Sequence, residues 1–261
     1  MSLPFESLGF GSLGFGTVGF ETLALAALIV AGAYVIFGLT GFGSTVVAVP
    51  LLALILPLKF AVPTMMLLDL AATLALGARL RKGIRVDEVA WLVPFILAGM
   101  ALGLTLLIKV AEESLLLGLG AFVLLYAAYG LIRRGVPVAL GRLWSAPVGL
   151  AGGALSALFG TGGVLFAMYF TGRIRDKNEL RATNASMIMF SALVRVALFA
   201  ATGLLTQPGL LACVALLVPA MLGGFYLGNR LHAVIPAASV VYSVYAVLVV
   251  AGVSLLVRGS V

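Results

Sequence analysis

The sequence predicts an all-α polytopic membrane protein. It has two inverted-topology repeats of about five helical segments each, with short broken helices after glycine-rich breaks. Three observations predict this. First, 63% of the 261 residues are hydrophobic and only 10% are charged, whereas a soluble domain is about 45–50% apolar and about 25% charged. A chain of this length has no interior large enough to hide that much apolar side chain from water. Second, apolar segments recur at a spacing that suits bilayer spans of about 20 residues. Third, one residue pattern occurs twice. Soluble globular, disordered, coiled-coil and disulfide-rich classes are excluded, and a single cysteine, Cys213, leaves no intrachain disulfide.

The elements follow in order. Residues 1–20 form a Gly/Phe-rich N-terminal tail, with SLGFG, SLGFG and TVGFE repeating over 7–21. It carries no Lys or Arg and so lacks the basic region of a signal peptide. Ten apolar segments come next, near 21–37, 45–58, 62–79, 87–108, 114–132, 143–159, 163–172, 180–202, 209–230 and 236–257. Eight are long enough to span a bilayer. The second holds Pro50 in mid-segment, and the seventh, ending at Arg173, covers only about 15 Å of a hydrocarbon core of about 30 Å. Each short segment follows a glycine break, Gly38-Leu39-Thr40-Gly41-Phe42-Gly43-Ser44-Thr45 and Phe159-Gly160-Thr161-Gly162-Gly163. Non-helical backbone at membrane depth must be buried in protein or line a polar cavity. Whether the short segments cross or re-enter stays open at this point.

Orientation follows from the basic residues. Net charge is +7, and no soluble basic domain exists to bind nucleic acid. Instead Arg79, Arg81, Lys82 and Arg85 share one loop, Arg133, Arg134 and Arg142 a second, and Arg173, Arg175, Lys177 and Arg181 a third. These three loops are expected to be cytoplasmic and the 109–113 and 203–208 loops external, with both termini outside.

Residues 93–106 (VPFILAGMALGLTL) and 218–231 (VPAMLGGFYLGNRL) match at seven of fourteen positions, an offset of 125, and the glycine breaks are related by 119. Residues 21–132 and 143–257 thus read as two transmembrane repeats joined by a cytoplasmic linker at 133–142. An odd number of segments per copy inverts the second copy, an architecture of secondary transporters. The GxxxG spacings Gly99–Gly103 and Gly224–Gly228 suit close helix packing, and on a lipid-facing surface they would suit a homodimer.

Two charges lie inside apolar segments, Asp69 and Arg195. Each costs about 2.5–3.5 kcal/mol at a helix centre on insertion scales, so each needs a reason. At the 125 offset Asp69 falls beside Arg195 on the equivalent helix. A guanidinium fork suits sulfonate, sulfite or carboxylate oxygens. Asp69 then serves as counter-ion or proton carrier, with a purely structural Asp69–Arg195 ion pair as the alternative. Asn184, Ser191, Arg195 and Thr202 form one helical stripe. The segments starting at Ser44 and Gly163 aim helix N-termini at mid-membrane, where free N–H groups favour anions. The candidate substrate-binding set is therefore Arg195, Gly41, Gly43, Ser44, Thr45, Gly160, Thr161, Gly162, Gly163, Asn184 and Ser191. One histidine, His232, and one cysteine supply neither a metal cluster nor a catalytic triad. No enzyme activity, metal or cofactor is expected.

The stretches GLTGFGSTVVAVPLL (38–52), LFGTGGVLFAMYF (158–170) and ELRATNAS (179–186) resemble the TauE/SafE-type sulfite exporter family of membrane permeases, over nearly the whole chain after residue 20. The resemblance implies a secondary transporter of the bacterial inner membrane for sulfite, sulfoacetate or other organosulfonates. Three departures stand out: Phe42 and Ser44 interrupt the glycine run of the first repeat, Tyr169 takes the place matching Pro50, and no cysteine lies near the breaks. The third argues against thiosulfate. Phe42, Phe159 and Phe166 are placed to contact a carbon-bearing substrate. The leading expectation is an exporter working by alternating access in a lipid bilayer on a small anion. A passive anion channel of the same fold, or a permease for a non-sulfur carboxylate, is the alternative.

Overall fold

The computed structural model describes residues 19–40, 43–76, 83–132, 141–231 and 237–260. Among them the chain forms ten α-helices: α1 (Phe20–Thr40), α2 (Ser44–Leu52), α3 (Leu58–Leu76), α4 (Val86–Lys109), α5 (Glu112–Ile132), α6 (Ser145–Phe159), α7 (Gly163–Arg173), α8 (Lys177–Ala201), α9 (Leu210–Leu231) and α10 (Ala237–Gly259), with a 3-10 turn at Arg142–Trp144 before α6. Five of these are long and apolar enough to cross a membrane. Local chemistry sets several boundaries. The Asp176 carboxylate accepts from the backbone N–H groups of Asn178 (2.8 Å) and Glu179 (2.9 Å) and so caps α8. Asp87 and Glu88 sit in the first turn of α4, where the helix dipole favours negative charge. Gly160 closes α6 at φ 74, and Gly43 precedes α2 at φ 92, backbone that side chains other than glycine rarely adopt.

The extensive pairings are α4 with α6, α1 with α9, and α5 with α10. Glycines set all three. A Cβ on Gly99 would run into Leu150, and one on Gly103 into Ala154. In the same way Gly224 is closed by Ala31, and Gly228 by Val35 and Gly38. Gly120 and Gly252 meet each other's carbonyls where α5 crosses α10. The residues facing each GxxxG motif, Leu150 and Ala154 against Ala31 and Val35, are themselves 119 apart, the spacing of the glycine breaks. These glycines are spent on packing inside the molecule, so they offer no face to a second copy.

The contacts also define two ends of the bundle. At one end, Arg173 at the close of α7 pairs with Glu88 in the first turn of α4. Arg85 contacts Asp87 and Glu179, while Arg142, just before α6, pairs with Asp87 and lies over the Trp91 ring. Arg85 is held further protonated than usual by its Asp87 hydrogen bond. At the opposite end, Arg258 of α10 donates to the carbonyls of Ala53 and Leu54 just past α2. There too Leu58 N–H donates to Glu112 (2.8 Å), Lys59 to the Ile108 carbonyl (3.0 Å) and Gln207 to the Lys59 carbonyl (2.9 Å).

α6 therefore starts, and α7 finishes, at the end where α4 starts. These two helices are a hairpin that enters and returns. α1 lies parallel to α9, and α2 finishes at the end where α9 starts, so α1 and α2 form the matching hairpin from the other side. The short segments re-enter rather than cross. Two hairpins therefore alternate with the longer helices, and the grouping of loops expected from charge survives for the described residues. α2 and α7, at about 14 and about 16 Å, are too short to cross anyway.

Candidate functional site

The two hairpin tips meet in the middle of the molecule. Gly160, at the α6–α7 tip, lies against the Thr45 side chain at the start of α2 and beside the Arg195 guanidinium. A cavity of about 70 Å³ opens at this junction. The N-terminal residues of α2 (Ser44, Thr45, Val46) and of α7 (Gly163, Val164) line it, together with Asp69 from α3 and Arg195 from α8.

Arg195 is buried, with 4% of its surface exposed. Its Nη1 donates to the Ser156 carbonyl in the last turn of α6 (3.3 Å), and its Nε has no partner. The Thr161 hydroxyl, also buried, has none either. Leaving such a donor unpaired costs about 1–3 kcal/mol, a cost that an acceptor in the cavity would remove. Ser156 and Ser191 share a hydroxyl hydrogen bond (2.7 Å) at the same wall.

Asp69 sits across the cavity. Its carboxylate accepts from Tyr34 Oη (2.7 Å), Ser44 Oγ (2.8 Å) and Thr45 Oγ1. The hydroxyls of the first α2 turn thus bring a carboxylate to the positive end of that helix. Asp69 and Arg195 also attract each other electrostatically.

Of the residues singled out from sequence, Gly43, Ser44, Thr45, Asp69, Gly160, Thr161, Gly163, Ser191 and Arg195 line the one cavity. Gly162 is buried behind the lining. Asn184 is on the same α8 stripe but not in the lining, and its Oδ1 has no partner. Gly41 and Phe42 fall outside the described residues. Phe166 lines the cavity and Phe159 does not; Phe37 takes that place. Tyr34, Phe37 and Ser156 were not singled out. Tyr34 carried a signal, a hydroxyl inside an otherwise apolar run of α1, but nothing local tied it to residue 69. Glu88 was missed as well, because its position at a segment border reads as a solvated flank. It is 3% exposed and accepts from Arg173 Nε (3.1 Å), Arg173 Nη2 (2.5 Å) and Tyr169 Oη (3.2 Å). Tyr169, in the place matching Pro50, is thus an anchor for α7.

The family model described as Sulfite exporter TauE/SafE matches residues 24–255. The chain belongs to the sulfite exporter TauE/SafE family. It is accordingly a multi-pass membrane protein of a transporter family, and not an enzyme. No curated protein and no solved structure matches it.

Proposed function

We propose that this TauE/SafE-family protein is a secondary transporter that binds a sulfur-containing anion, sulfite or an organosulfonate, in the central cavity. It carries that anion outward across the bacterial inner membrane by alternating access. The observation that carries the reading is a pair of buried donors without acceptors, Arg195 Nε and Thr161 Oγ1, at a cavity where two helices begin. Helix N-termini and a guanidinium together make an anion site. Gly43, Ser44, Thr45, Gly160, Gly163 and Ser191 complete it, with Asp69 as counter-ion to Arg195. The inverted pairing of α1–α5 with α6–α10 supports a rocking exchange between two halves. The gathering of Arg85, Arg142, Arg173 and Arg175 at one end supports placing that end in the cytoplasm, with both termini outside. For export, the inside-negative potential alone drives anion exit, by about 2.3 kcal/mol per charge per 100 mV.

The test is flux in proteoliposomes across a panel of sulfite, methanesulfonate, sulfoacetate, sulfate, thiosulfate and acetate. Saturable sulfite or sulfonate flux is expected, stimulated by the same anion on the far side. Arg195→Ala should abolish it while the protein still folds. Acetate as the preferred substrate, single-channel currents, or normal flux in Arg195→Ala would each overturn the reading.

A further inference from the structure

The fixed charges around the cavity constrain the charge of what it binds, and this step rests on the anion-site reading above. Among the described lining residues, Asp69 and Arg195 alone carry formal charge, and they cancel. What remains positive is the N-termini of α2 and α7, at most about half an elementary charge each. The carbonyl end of α6, which comes to the same tip, can only lower that sum. The Ser156 carbonyl accepts from Gly160 N–H and from Arg195, and the Leu155 carbonyl accepts from Thr161 N–H. The cavity therefore offers compensation for about one negative charge and no more. A second would sit uncompensated among Phe37, Val46, Val164, Phe166 and Ile188, where an unpaired buried charge costs several kcal/mol.

We infer that the site selects monoanions over dianions, and that Asp69 is the residue that sets this selectivity. Hydrogensulfite and simple alkanesulfonates fit. Sulfite dianion, sulfate, thiosulfate and doubly charged sulfoacetate do not. Asp69 acts as a resident negative charge. Three hydroxyls, from Tyr34, Ser44 and Thr45, hold it at the start of α2, and so its charge is fixed in the cavity wall, opposite Arg195, before substrate arrives. Removing that charge raises the fixed positive charge by one and makes room for a dianion.

The experiment is calorimetric titration of the purified full-length protein with methanesulfonate and with sulfate at matched ionic strength. Methanesulfonate is expected to bind at least about tenfold more tightly, since each 1.4 kcal/mol is tenfold. In Asp69→Asn the preference should shrink by at least about tenfold or reverse. In Tyr34→Phe, which removes a hydroxyl and no charge at Asp69, it should persist. A second measurement needs no variant. The affinity for total sulfite should rise as pH falls and hydrogensulfite replaces the dianion. Methanesulfonate, singly charged throughout, reports any titration of Asp69, Arg195 or Tyr34, the titratable groups that face the cavity or each other there. Three results overturn the inference and leave the anion site standing: sulfate as tight as methanesulfonate, sulfite affinity that ignores pH, or an unchanged ratio in Asp69→Asn. Should Asp69→Asn fail to fold, the wild-type arms decide. Binding of neither anion would remove both the site and the inference.

Discussion

Arg195 and Glu88 are both buried, and they answer mutation differently because their partners differ. Arg195 gives one hydrogen bond to a carbonyl and keeps Nε unpaired, so its fork is held ready more than it is used. Arg195→Lys preserves the charge but not the planar fork. Anion affinity by calorimetry is expected to fall at least about tenfold, with thermal stability little changed. Glu88 has no spare capacity of that kind. Glu88→Ala removes the carboxylate that Arg173 and the Tyr169 hydroxyl share. Arg173 is partly exposed, which discounts the effect to about 2–3 kcal/mol, below the full cost of stranding a buried charge. The melting temperature should drop clearly, and Glu88→Gln should recover part of the loss through Tyr169. A purely surface role for Glu88 predicts no drop. At this scale the sequence was legible where cost marked a residue. A charge in mid-segment is expensive, which made Asp69 and Arg195 visible. Tyr34 and Ser156 are cheap in any membrane helix, and only the fold brings them to the site.

At the scale of helices, glycine does two jobs that composition alone does not separate. In the breaks it turns the chain, at Gly43 and Gly160. Within α4, α9, α5 and α10 it lets backbones touch. Neighbouring glycines in α9 make the contrast testable. A Cβ on Gly224 would meet the Ala31 carbonyl of α1, whereas one on Gly223 meets nothing within 4 Å. Gly223→Ala should be neutral or stabilising by up to about 1 kcal/mol, through helix propensity. Gly224→Ala should destabilise by about 1–3 kcal/mol, because α1 and α9 must separate. Thermal unfolding in detergent compares the two directly, and equal effects would mean that α1 and α9 do not pack as described. The segment borders read from hydropathy agree with the helices to within a few residues for nine of the ten. α2 is the exception: it ends at Leu52, and the chain then turns through Ala53–Leu56. Hydropathy stays high across that turn because Ile55 and Leu56 still face protein, so composition gives no sign of the stop.

For the whole molecule, the decisive geometric fact is that both hairpins return to the side from which they enter. Parity of charge cannot reveal this, since a hairpin and two crossings leave the following loop on the same side. Only contacts between ends, such as Arg173 with Glu88 and Arg258 with the Ala53 carbonyl, separate the two. The consequence is a specific accessibility map. With the buried Cys213 replaced by Ala, single cysteines at Pro57, Ala111 and Thr206, all exposed in turns, should react with an impermeant maleimide from one face of the membrane. Cysteines at Arg85 and Arg175 should react only from the other. If α1 and α2 instead crossed in succession to a cytoplasmic Gly break, a cysteine at Ser44 would label from the Arg175 face. In the hairpin arrangement Ser44 lines the central cavity, and labelling from either face should be slow and suppressed by bound methanesulfonate. Pro57 labelling from the Arg175 face would break the hairpin arrangement. It would also break the meeting of two helix N-termini on which the anion site depends.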